Sequence, residues 1–159
     1  MEPAFDFDEV DSGLWVGPCP SSPQRIQQLR KAGIDGLVSL QTDDDLMGMD
    51  LDWNLLWRFM MGQGIAARRQ PITDFDDRAL IQGLPAAIVA IAELRAAGRV
   101  TYVHCSAGVN RSPTVAIGYL MQHNGLSLDQ AWQQVTTRRP CDPNRAALER
   151  WHLGPPKRG

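Results

Sequence analysis

The chain has 159 residues, 43% of them hydrophobic and 21% charged, a balance that can bury one full core. A single domain over 1–159 is therefore expected, with its core at about 7–152 and a short tail at 153–159. A net charge of −2 gives no global basic field, which excludes nucleic acid as a partner and leaves any anion to be held by a local pocket.

The opening Met1-Glu2-Pro3-Ala4-Phe5-Asp6 is acidic and has no basic segment leading into an apolar run. No secretory signal is expected, and a cytoplasmic monomer is. Leu14-Trp15-Val16-Gly17 reads as a short strand, followed by a Pro/Ser-rich turn at 18–23 and a helix from Gln24 to Ala32 that Gly33 stops. Ile34 to Leu40 reads as a buried strand, and Gln41-Thr42-Asp43-Asp44-Asp45 as a loop. Leu51 to Met61 has helical spacing that places Trp53 and Trp57 on one face, where large aromatics are expected to be core.

Ile65 to Ile72 reads as a strand running into an acidic loop, Thr73-Asp74-Phe75-Asp76-Asp77. A long helix from Arg78 to Ala97 follows, ended by Gly98. Its apolar run, Leu84 to Ile91 with Pro85 inside, falls well short of the about 20 residues that cross a bilayer, so no membrane partner is expected. Val100 to Val103 reads as another strand. Ser127 should cap a helix reaching about Thr137, with a turn at 138–144 and a last helix from Arg145 to His152. Strands alternating with helices predict an α/β fold, a three-layer sandwich around a mostly parallel sheet of four to five strands.

The most informative stretch is Val103-His104-Cys105-Ser106-Ala107-Gly108-Val109-Asn110-Arg111-Ser112, a strand delivering a cysteine into a loop that closes on an arginine at a helix start. Such a loop can turn successive N–H groups inward, and the helix dipole adds to their field, so an anion is the expected ligand. The same surroundings favour a thiolate nucleophile. For a phosphate monoester, the backbone amides of Ser106, Ala107, Gly108, Val109, Asn110 and Arg111 would hold the oxygens. The Arg111 guanidinium would add a bidentate clamp. Cys105 would attack, Gly108 would supply the backbone twist, and Ser112 would donate its hydroxyl to the departing thiolate. His104, pointing away from Cys105 by strand alternation, would hold the loop by hydrogen bonds.

A proton donor is also needed, and the acidic loop should lie at the end of a strand neighbouring the cysteine strand. The residues alone leave Asp74 and Asp76 nearly equal, with the remaining acids capping the next helix. Three cysteines, Cys19, Cys105 and Cys141, form no C-x-x-C pair, which argues against a disulfide framework and a zinc site. Cys19 and Cys141 are expected to be inert, and neither metal nor cofactor is expected.

His104 to Ser112 resembles the H-C-x-x-G-x-x-R-S/T signature of the protein-tyrosine phosphatase superfamily, and the short chain resembles its dual-specificity branch. The resemblance implies a sheet flanked by helices, metal-free chemistry through a thiophosphoryl cysteine, and activity on phosphotyrosine and phosphoserine/phosphothreonine proteins. Pro71-Ile72-Thr73-Asp74 is similar to that family's acid segment, which decides for Asp74. Asp74-Phe75-Asp76, Arg99 to Cys105 and Arg138 to Asn144 are similar to plant glucan phosphatases, which implies a phosphorylated glucan as the alternative substrate and Phe75 as a rim contact. Asn110 stands where their C-x-A-G-x-G-R loop has its second Gly. A non-catalytic phospho-binding module is the alternative of another class; such proteins lack the cysteine, arginine or acid, and all three are present here.

Overall fold

A computed structural model describes residues 4–154, which leaves residues 155–159 of the expected 153–159 tail and the first three residues outside the described residues. Its five-stranded sheet has the order β1-β2-β5-β3-β4. β2 (Leu14–Gly17), β3 (Gly36–Ser39), β4 (Ala66–Arg69) and β5 (Thr101–His104) are parallel, and β1 (Asp8–Asp11) pairs antiparallel with β2 at the edge. The mostly parallel α/β sandwich is the predicted one.

Alternation along β5 divides the layers. Val103, with Val38 and Val16, faces a core formed by α4 (Asp77–Ala96), α5 (Arg111–His123), α6 (Leu128–Arg138) and α7 (Arg145–Leu153). Tyr102 and Leu37 face the other way, onto Ile26 and Leu29 of α1 (Pro23–Lys31) and Met60 of α3 (Trp53–Gly62). Local chemistry fixes the helix starts. The Ser22 hydroxyl accepts from the Arg25 amide with Pro23 at the first turn, and Ser127 and Gln130 form a reciprocal capping box. Helix α4 has the length and hydropathy of a membrane span, yet Leu80, Leu84, Ile88 and Ile91 are buried in the first core.

Three expectations need correction, and one strand is not legible in the sequence. Gln41 to Asp45 is not simply a loop: Thr42 and Asp45 form a capping box that starts α2 (Asp43–Gly48), with three aspartates favourably placed in its first turn. β1 escapes the sequence because three of its four residues are acidic and only Val10 is buried. Trp57 is 39% exposed rather than core, since Trp53, Leu56 and Met60 define the inward face of α3 and Trp57 lies off its margin. Finally, β4 does not neighbour β5, because β3 lies between them.

The correction to β4 leaves the site intact. Gly17, His104 and Ser39 are level across the sheet, and Ser39 is level with Arg69. The segments leaving all four parallel strands therefore start from one edge, the carboxyl edge where ligands gather in open α/β sheets.

Candidate active site

Cys105 leaves β5 at this edge, buried with 3% exposure, and the next five residues reach Arg111 at the start of α5. What orients this loop is the destination of its carbonyls. His104 Nδ1 bonds the Cys105 oxygen at 3.0 Å, which makes Nδ1 the protonated ring nitrogen. The Cys19 amide donates to Ser106 O at 3.1 Å, and Arg139 donates to Ala107 O from Nη2 and to Gly108 O from Nε at 2.8 Å. The Asp142 amide donates to Val109 O at 2.8 Å, and the Thr114 hydroxyl to Asn110 O at 2.7 Å. Every carbonyl from Cys105 to Asn110 is thus engaged by the surrounding protein. With the oxygens so held, the amides are left to the inner side, and the Gly108 amide already donates to Cys105 Sγ at 3.2 Å.

Gly108 is required twice over. Its φ is +69°, and a Cβ there would fall against the Gly17 backbone carbon, 2.5 Å from Arg139 Nη2 and 2.7 Å from Pro18 N. Ser112 Oγ lies 3.3 Å from Cys105 Sγ, in reach to donate to a thiolate. His104 stacks on Tyr102 with centroids 5.8 Å apart, on the opposite sheet face from Val103. Burial pushes its pKa down to about 4, so it is a neutral hydrogen-bond donor and no proton shuttle. Burial also pushes the Cys19 thiol up to about 12, and raises Cys141, whose thiol is bonded to Arg139 O. Both thiols are thereby favoured in the protonated form.

Arg111 is 2% exposed and meets two carboxylates. Nη1 donates to Asp45 Oδ2 at 2.7 Å and to Ile72 O at 2.8 Å; Nη2 lies 3.3 Å from Asp74 Oδ2 and 3.4 Å from Ser106 Oγ. Asp74 is therefore brought to the guanidinium. Asp76 is not: its carboxylate caps α4 by accepting from the Ala79 amide. Phe75 is 97% exposed and has φ +55°, a conformation rare for a large side chain, on the wall of a cleft shared with Asp76, Asp77, Asn110 and Arg111. Asn110 Nδ2 donates to Asp142 O at 3.2 Å, which ties its side chain to the rim.

The sequence reading missed Asp45, Gln41 and Arg139. Gln41, 1% exposed, donates to Ser106 Oγ at 3.1 Å. Arg139, 5% exposed, also pairs with Asp8 at 2.9 Å. No local pattern marks these residues, since each acts across long separations in the chain; only the Thr-x-x-Asp spacing at Thr42 carried a readable signal, that of a helix start.

The family sequence model described as "Dual specificity phosphatase, catalytic domain" matches residues 14–151. The chain belongs to this family. It is 30% identical over 93% of its length to a phosphoglucan phosphatase of Castanea sativa, of which it spans 40%. It is 28% identical over 83% of its length to human dual specificity protein phosphatase 12, of which it spans 36%. The chain thus covers under half of either relative. Among solved structures, human DUSP28 superposes with a TM-score of 0.68 at 28% identity, over 92% of this chain and 93% of that one. The matched range includes Cys105 and Arg111 of the signature-like stretch and Asp74, whose carboxylate lies 3.3 Å from Arg111.

Proposed function

We propose that this domain hydrolyses phosphate monoesters in two steps through a phosphocysteine, with phosphotyrosine and phosphoserine/phosphothreonine proteins as substrates. The thiolate of Cys105 attacks phosphorus, the bond to the leaving oxygen breaks, and Asp74 gives that oxygen its proton. Water then attacks the phosphocysteine, Asp74 takes the water's proton, and sulfur departs as a thiolate assisted by the Ser112 hydroxyl. Inward amides and Arg111 stabilise the equatorial oxygens throughout. The observation that carries this reading is the outward anchoring of all six loop carbonyls around a buried thiol. The protein acts as a cytoplasmic monomer, in a compartment that keeps the nucleophile reduced.

A second reading, a phosphoglucan phosphatase, is favoured by Phe75. A fully exposed aromatic ring beside the acid offers a sugar ring a stacking surface, and the chestnut relative points the same way. Both readings require para-nitrophenyl phosphate hydrolysis that survives EDTA and is stopped by vanadate. Turnover of phosphotyrosine peptide, phosphothreonine peptide and solubilised phosphoglucan, measured in parallel, separates them. Preference for the peptides supports the protein substrate, and a large preference for glucan overturns it. Tight peptide binding without turnover would establish a binding module instead.

A further inference from the structure

The Arg111 guanidinium has two unequal edges. Nη1 is fully committed, to Asp45 Oδ2 at 2.7 Å and Ile72 O at 2.8 Å. Nε is buried and has no hydrogen-bond partner among the described residues, while its neighbour Nη2 makes only the longer contacts of 3.3 Å to Asp74 and 3.4 Å to Ser106. A buried donor without an acceptor is costly, and a bidentate anion takes two adjacent N–H groups. The edge formed by Nε and Nη2 is the one such pair left.

We propose that Asp45 is a positioning residue that pins Nη1 and so presents the Nε–Nη2 edge of Arg111 to the phosphate, whereas Asp74 gives up its place on Nη2 when phosphate arrives. The inference rests on the phosphatase reading above. The two carboxylates differ in how they are held. The same Asp45 oxygen that meets Arg111 also accepts the Thr42 backbone amide at 2.9 Å, which holds the carboxylate on the first turn of α2; the Thr42 hydroxyl accepts the Asp45 amide and completes the helix cap without touching the carboxylate. Burial would raise the Asp45 carboxyl, but the bonds from Arg111 and Thr42 outweigh it and keep it ionised. Among the described residues Asp74 has only the Phe75 amide on its other oxygen, in an exposed turn. The incoming dianion therefore displaces Asp74, which moves the acid off the arginine and frees it to face the leaving oxygen.

Charge alone makes a different prediction, which allows a decisive test. If both carboxylates merely repel phosphate, neutralising either one tightens phosphate binding; if Asp45 positions Arg111, the two substitutions act in opposite directions. Binding of inorganic phosphate is measured by calorimetry on the full chain as wild type, Asp45→Ala, Asp45→Asn, Asp74→Asn and Thr42→Ala. Thr42→Ala removes one bond of the helix cap and leaves the Asp45 carboxylate on Arg111. The expected result is a Kd about tenfold weaker in Asp45→Ala, weaker by a smaller factor in Asp45→Asn, severalfold tighter in Asp74→Asn and within twofold of wild type in Thr42→Ala. Tighter or unchanged binding in both Asp45 variants overturns the proposal, as does a Thr42→Ala loss equal to that of Asp45→Ala. A wild type that binds phosphate but turns over no monoester refutes the phosphatase reading and leaves the positioning role to be decided by the same titrations.

Discussion

Ser112 Oγ and Cys105 Sγ lie 3.3 Å apart, one on the first turn of α5 and the other at the bottom of the loop it follows. A hydroxyl there helps most when sulfur carries full negative charge, which is when it leaves phosphorus. Ser112→Ala should lower kcat roughly tenfold, about 1.4 kcal/mol of barrier, and make breakdown of the phosphocysteine rate-limiting. Rapid-mixing kinetics would show a burst of leaving group equal to the enzyme concentration. A loss of rate without a burst would place Ser112 in the first step.

Arg139 joins the loop to the edge of the sheet, with Gly108 O and Ala107 O on one side and Asp8 on the other. Arg139→Ala should cost on the order of 3 kcal/mol in urea denaturation, the lower end for a broken buried pair because Asp8 is partly solvated. Activity should fall further than stability explains, since the two carbonyls are released. Arg139→Lys restores a charge but not the fork, so it should recover stability more than kcat.

The acid assignment separates two neighbouring aspartates. Asp74 meets Arg111, while Asp76 is occupied as the cap of α4. Asp74→Ala should reduce kcat by roughly 10²–10⁴ for alkyl phosphates and much less for a good leaving group such as para-nitrophenol. Asp76→Ala should instead lower stability by about 1 kcal/mol with no leaving-group dependence. A leaving-group effect in the Asp76 variant would transfer the role.

Much of this site can be read from the chain, and the part that cannot has a physical reason. The spacing from His104 to Ser112 is local, so strand, loop and helix start follow from it, as do the backbone twist at Gly108 and the place of Ser112 beside Cys105. Asp74 and Arg111 could be paired only by resemblance, because their proximity depends on parallel strands ending at one edge. Arg139 looked like part of a turn, and Asp45 like part of a loop. What makes them important is Gly108 and Arg111, far away in sequence, and neither spacing nor composition encodes that contact. β1 was lost for the same reason: its acids serve Arg139 and Arg95 rather than a readable alternation.

His104 should make the fold sensitive to mild acid. Its pKa is lowered to about 4 in the fold against an ordinary 6.5, so between these values the unfolded chain binds a proton that the native protein does not. Stability should therefore fall as pH drops from 6.5 and level off below about 4, by about 3 kcal/mol for this group. Asp45, whose pKa is lowered, acts with stability present above its ordinary 3.8 and lost only as pH falls further. Comparing urea midpoints at pH 7 and pH 5 keeps the two apart. His104→Gln should be less stable at pH 7 yet lose less between the two values; an equal loss in both proteins would remove His104 from this role.

The nucleophile is the core of the account. Ser112→Ala protein, quenched in acid during turnover of a radiolabelled phosphate monoester and digested, should carry the label on the peptide containing Cys105, and Cys105→Ser should neither trap label nor turn over. Label on another side chain, or wild-type turnover by Cys105→Ser, would contradict it.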